Sequence, residues 1–332
     1  MVAPSRDPRA KTTLWGAFLK ILTAFAIGLA LAGALSAAPA QAQNGRSFVS
    51  GHGSDAANCT LATPCRTLAH AFSLTNAGGE IDVLDPAGYG ALTITKAISI
   101  VNDGVGTAGV IVPSAGTGIT ITAGSSDAVS LRGLSIEGGG VGQYGIVFNS
   151  GQSLTVENCV IRHVTSSGIN FVSTTATSAL TVSNSLVADN GINGILLGPT
   201  GSATAVFNRV EVNNNGEHGI LVDGEFSAGT NTINATVSDS VAAGNNVGFE
   251  ARSPTSAAPT SVMVFHSVAA NNTSGGVSPN GTAATLRLAN STVTGNANGW
   301  LVQSGGVVAS YGDNYIDGNG SNTGSLTSIS KQ

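Results

Sequence analysis

Glu137 and Arg162 are 25 positions apart, and His163 and Asp189 are 26 apart. Those four side chains are the ones whose types suit polysaccharide cleavage. β-Elimination needs a base for the proton α to a uronate carboxylate and a cation to neutralise that carboxylate. A second group, Glu217, His218, Asp223 and Glu225, offers one imidazole among acids within nine residues. One His with scattered carboxylates can bind a ligand, and Asp223 with His218 could share a metal, although no zinc-type spacing occurs. The first set is not local in sequence, so its chemistry depends on a repeat that stacks distant residues.

That repeat is present. The anchors GLSI (from Gly133), NCVI (Asn158), NSLV (Asn184), NRVEV (Asn208), DSVA (Asp239), HSVA (His266), NSTV (Asn290) and NYID (Asn314) recur at 24 to 31 residues. An alternating strand precedes most anchors. Most units then end in Asn: Asn190, Asn215, Asn246, Asn272, Asn296 and Asn319. A Gly plus an apolar residue opens a second strand, as in Gly168-Ile169, Gly194-Ile195 and Gly219-Ile220. About 25 residues close one coil of two or three short strands, and coils stack about 4.8 Å apart. Parallel crossovers are right-handed. The fold expected is all-β: a right-handed parallel β-helix of about nine or ten coils with a short helical cap.

Counting from the anchor, positions four and two before it, the anchor itself and two after it are expected to face inward. This column reads Leu154, Val156, Asn158, Val160; Leu180, Val182, Asn184, Leu186; and Thr204, Val206, Asn208, Val210. The anchor Asn side chains would then bond along the axis, and His266 would be an inward His in an Asn place. The same stacking sets Arg132 over Glu157, Glu137 over Arg162 and Asp223 over Arg252 as ion pairs, each contributing about 0–1 kcal/mol. Phe207 and Phe265 are expected in an outward column with Ser238 between them. Trp300, Tyr311 and Tyr315 are expected to cap the far end.

Composition bounds the setting. The chain has 332 residues, 45 of them Gly, and only 9% are charged. Arg6, Arg9 and Lys11 precede the uncharged apolar run Ile21 to Leu35, and Ala40-Gln41-Ala42 fits a secretory cleavage site. Residues 1–42 are therefore expected to be a signal peptide, which makes the protein secreted or periplasmic. Without them the chain has 13 − 4 = 9 basic and 18 − 1 = 17 acidic residues, a net of −8. That balance argues against nucleic acid as a partner, and no further membrane segment follows. Cys59 and Cys65 are expected to pair in an oxidising compartment, and Cys159 is expected to be a packed thiol. His52 and His70 belong to the cap. The rest divides into a cap (43–79), the β-helix (80–320) and a tail (321–332).

The cap carries a resemblance. RSFVS, GHGSDAANC and TPCRTLAHAFSLTNAGGEIDVLDPAGYG resemble the opening segment of secreted pectate-lyase-like β-helix proteins. Their order implies a first strand, a Gly/Asp turn, a helix over about 66–75 and a strand over 80–84. In the lyases of this superfamily an Arg commonly serves as base, with calcium held by acidic side chains. The sequence lacks their dense Asp cluster. It also lacks the paired aspartates and Arg-x-Lys pattern of polygalacturonases and the Asp-Pro-His-Asp motif of mannuronan epimerases. The expectation is a non-catalytic solenoid, free of metal or cofactor, that binds a polysaccharide or cell-surface glycan or serves structurally. The alternative is a polyuronate lyase using calcium at Glu137, Arg162, His163 and Asp189.

Overall fold

A computed structural model describes residues 44–331 and Val2; the expected signal peptide lies outside the described residues. The chain winds as a parallel β-solenoid of about nine turns. Among the described residues, twenty strands form one sheet and ten form a second. A middle coil shows the plan: Ser153–Glu157 and Val160–Arg162 belong to the larger sheet, and Ile169–Phe171 belongs to the smaller. Each strand pairs in parallel with its counterpart one coil on, as in Leu154↔Leu180, Val156↔Val182 and Ile169↔Ile195. All three expected charge columns are adjacent: Arg132↔Glu157, Glu137↔Arg162 and Asp223↔Arg252.

The first strand, Asn44–Val49, pairs with Thr75–Val83. Between them lies helix Leu68–Leu74, whose N-cap Thr67 accepts from the His70 N–H. Asp55 accepts from the N–H groups of Arg66 and Thr67 and so fixes the helix start. Cys59 and Cys65 form a disulfide. At the other end, paired strands continue to Leu326–Ser328.

The inward column changes phase at the anchor, which corrects the expected one. Leu154 and Val156 are buried, but Asn158 is exposed and Val160 half-buried; Cys159 and Ile161 face the core instead. The cause is backbone hand. Asn158 and Asn184 have φ of 52° and 48°, left-handed values that Asn tolerates. One such residue turns the corner and swaps which alternate side chains point in. His266 (φ 48°) holds the same place and is likewise exposed, not inward. In the third coil the corner residue is Arg209, one position later than expected, because Ser183 pairs with Asn208 and Ser185 with Val210. Hence Thr204 and Val206 face solvent, whereas Ala205 and Phe207 are buried.

An axial Asn ladder exists, built from the unit-ending residues. Asn190 Nδ2 donates to Asn215 Oδ1 at 2.9 Å, Asn215 to Asn245 at 3.0 Å and Asn245 to Asn272 at 3.2 Å. Asn272 then donates to Asn296 at 2.8 Å, and Asn296 to Asn319 at 2.9 Å. Asn245 takes the place expected for Asn246, which is exposed. The glycine that opens each second strand makes room for this ladder. A Cβ on Gly219 would lie 2.6 Å from the Gly248 carbonyl oxygen and 3.1 Å from Asn245 Nδ2.

Candidate functional site

The first group converges on Glu137. Arg162 Nε lies 2.9 Å from its Oε2, and His163 Nδ1 lies 2.8 Å from its Oε1. The Gly139 N–H also donates to Oε1, at 3.1 Å. Burial by itself would raise the Glu137 pKa, but the hydrogen bonds from Gly139, His163 and Arg162 outweigh it and hold the carboxyl below its ordinary range. Asp189 stands one coil on, with Oδ2 4.0 Å from His163 Nε2, and its Oδ1 accepts from Asn214 Nδ2 at 3.3 Å.

Backbone hand again sets the layout. His163, Asp189 and Asn214 have φ of 56°, 57° and 56°, so they form a second corner column. Beside them runs a shallow groove of about 630 Å³. Gly139, Gly140, Gly191 and Gly216 line it together with Thr165. The floor is close to backbone: a Cβ on Gly191 or Gly216 would lie 2.3 or 2.1 Å from the carbonyl oxygen of the coil before. The result is a flat trough with polar side chains along one edge.

The second group separates into two contacts. His218 Nε2 lies 3.1 Å from Glu250 Oε2, and its Nδ1 lies 2.9 Å from Asn193 Oδ1. Asn193 continues to Ser167, and Asn280 Nδ2 donates to Glu250 Oε1 at 3.3 Å. A polar chain thus crosses five coils on the outer face of the smaller sheet. Asp223, 2% exposed, instead accepts from the Glu225 N–H and faces Arg252 at 3.5 Å. Burial pushes its carboxyl pKa up despite Arg252. Arg252 also holds Glu225, and Glu217 remains on the exposed rim, 3.9 Å from His218.

Glu250 is the residue that sequence reasoning missed. Its column reads Leu196, Leu221, Glu250, Ser278. An acid in a mostly apolar column was the available signal, and it becomes visible only once the register is fixed. Ser278 Oγ, fully buried beside Glu250, has no hydrogen-bond partner among the described residues.

Metal chemistry fits poorly. Calcium takes six to eight oxygen ligands, whereas Glu137 is engaged by Arg162 and His163, and Asp189 lies across the imidazole from it. Among the described residues, the one set of three His, Cys, Asp or Glu side chains close enough to share an ion is Cys59, Cys65 and His70. Two of its members are already tied in a disulfide. Cys159 is packed as expected: its thiol is buried, and that burial pushes its pKa up to about 11.

The stacked coils and their corner columns together define a parallel β-solenoid that matches a right-handed β-helix. The family described as "Right handed beta helix region" matches residues 87–237. Among solved structures, pectate lyase Pel9A is similar at 17% identity and a TM-score of 0.57, over 85% of this chain and 79% of that one. The A-module of Azotobacter vinelandii mannuronan C-5 epimerase AlgE4 is similar at 14% identity and a TM-score of 0.42, over 77% of this chain and 91% of that one. No curated protein matches the chain in sequence. At 17% identity the likeness to pectate lyase Pel9A establishes the fold alone.

Proposed function

We propose that the protein is an exported β-helix that binds a polysaccharide or cell-surface glycan in the Gly139–Gly216 trough without cleaving it. The observation carrying this reading is the double engagement of Glu137. Elimination needs a free base and a free cation at the sugar carboxylate. Here Arg162 and His163 are both turned onto one carboxylate, so the cation is neutralised and each candidate base already faces an acceptor. What remains open to a ligand is a glycine floor edged by His163, Asp189 and Asn214. Such a floor admits a chain of sugar rings, and the edge supplies hydrogen bonds to hydroxyls.

A glycan array tests the binding: the protein should retain at least one polysaccharide, and His163→Ala with Asp189→Ala should release it. A blank array contradicts the reading. Incubation with pectate or alginate plus calcium should leave ultraviolet absorbance flat. A rise from unsaturated ends that disappears in Arg162→Ala favours a lyase instead. Export is tested by N-terminal sequencing of protein from the culture medium or periplasm, which should begin at Gln43. No helix among the described residues is long and apolar enough to cross a membrane.

A further inference from the structure

Far from the trough, the larger sheet carries an aromatic pair with a small residue between its members. Phe265 pairs with Ala289, and the register Leu288↔Ser310 sets Tyr311 beside Ala289 on the following coil. Phe265, Ala289 and Tyr311 therefore occupy one column on three successive coils. Phe265 is 44% exposed on the solvent side of its strand. Ala289 is nearly covered, although it has the smallest side chain of the three. All three line a concavity of about 760 Å³, together with Met263, Asp313 and Lys331.

The spacing sets what this slot can hold. Two coils separate the aromatic residues, so their backbones lie about 9.5 Å apart. Carbon–carbon contacts of about 3.5–4.0 Å on each face leave a flat ring filling only about 7–8 Å. A puckered saturated ring is thicker and has C–H groups on both sides to set against the two aromatic side chains. Lys331 Nζ pairs with Asp313 Oδ2 at 2.8 Å, so the rim carries both hydrogen-bond donors and acceptors while its charges cancel. An uncharged ligand bearing hydroxyls suits that rim better than an anion.

We propose that the Phe265–Ala289–Tyr311 slot is a second binding site, which clamps one neutral pyranose ring of a glycan between the two aromatic side chains. For its ligand class this rests on the glycan-binding reading above, but it uses no residue of the Glu137–Asp189 trough. The slot lies before the Asp239–His266 corner of the coil, whereas the trough follows the later His163–Asp189 corner.

The test is calorimetric titration of the full chain with cellohexaose, mannohexaose and chitohexaose. Adenosine monophosphate serves as a flat-ring probe and a galacturonate hexamer as a charged one. At least one neutral hexamer should bind. Phe265→Ala and Tyr311→Ala should each weaken it about tenfold, and Ala289→Leu should fill the slot and do the same. Asn246→Ala, an exposed position outside both the slot and the trough, should leave that affinity unchanged. Circular dichroism of each variant confirms folding, and Phe265→Ala alters an exposed side chain, so at least one slot variant reports on binding. Neutral hexamers held equally by the slot variants but lost in His163→Ala overturn the slot and leave the trough reading standing. Tighter binding of the nucleotide or the galacturonate hexamer at the slot overturns the assignment of ligand. No binding of any glycan overturns both readings.

Discussion

His218 Nε2 lies 3.1 Å from Glu250 Oε2, and the carboxylate is 5% exposed on the outward face of its strand. An acid that leaves water on the outside of a solenoid needs partners from several coils, and Glu250 has them on both sides, in His218 and Asn280. Glu250→Ala should therefore destabilise the solenoid by about 2–4 kcal/mol, because the part-buried His218 and Asn280 lose their acceptor. Glu250→Gln retains an acceptor and should cost less. Urea denaturation of both variants decides the matter: equal midpoints mean that the carboxylate is not what organises the chain from Ser167 to Asn280.

The phase change at the corner residues gives a sharper test of the fold. Val206→Asp should change stability by no more than about 0.5 kcal/mol, since that side chain reaches solvent. Phe207→Ala should cost about 3–5 kcal/mol, because it empties a fully buried ring position. Thermal melts that rank the two the other way round would mean the third coil is displaced by one residue.

The Asn ladder should be intolerant of small changes. Asn245 Oδ1 accepts from both the N–H and the Nδ2 of Asn215, and Asn245 Nδ2 donates to the Val212 carbonyl. Asn245→Ala strands these groups at a buried position and should cost about 2–4 kcal/mol. Asn246→Ala, next door but exposed, should be close to neutral. Gly219→Ala should rank with Asn245→Ala, since its Cβ would strike the Gly248 carbonyl. Equilibrium unfolding of the three variants checks the order.

The solenoid itself was legible because its period is longer than any local accident of composition, and stacking then placed Glu137 beside Arg162 correctly. Facing within a coil was not legible. Side-chain alternation is a rule for extended backbone, and a single left-handed residue at Asn158 or Arg209 resets it. Nothing in NRVEV says that Arg209, rather than Asn208, turns the corner; the pairing of neighbouring coils decides it. The same one-residue uncertainty placed Phe207 outside and put Asn246, rather than Asn245, at the end of its unit. Glu250 was hidden for a related reason: its burial comes from side chains on neighbouring coils, which no local pattern announces.

Buried thiol chemistry offers a direct check on the core. Cys159 should not react with a thiol reagent in the native protein, since its thiol is buried and its pKa is pushed up to about 11. In denaturant one thiol per chain should react, with Cys59 and Cys65 remaining paired. Fast native labelling of Cys159 would place it outside the core.

The two candidate clusters should respond to acid in opposite directions. Burial would raise the Glu137 carboxyl, but hydrogen bonds from Gly139, His163 and Arg162 lower it below its unfolded value of 4.5. The folded state therefore favours the charged form. That stabilisation is complete above pH 4.5 and is lost as pH falls through the lowered folded value. Asp223 is raised above 3.8 by burial, so the folded state favours its neutral form. Its contribution is a penalty at neutral pH that shrinks as pH falls through the raised folded value towards 3.8. Asp223→Asn should thus stabilise the protein at pH 7 and flatten the pH dependence just above 3.8. Glu137→Gln should destabilise it at pH 7 and converge on wild type in stronger acid. Melting temperatures of both variants measured from pH 7 to pH 3 separate the two behaviours. A Glu137→Gln curve parallel to wild type throughout would mean that Arg162 and His163 add nothing to the charged carboxylate.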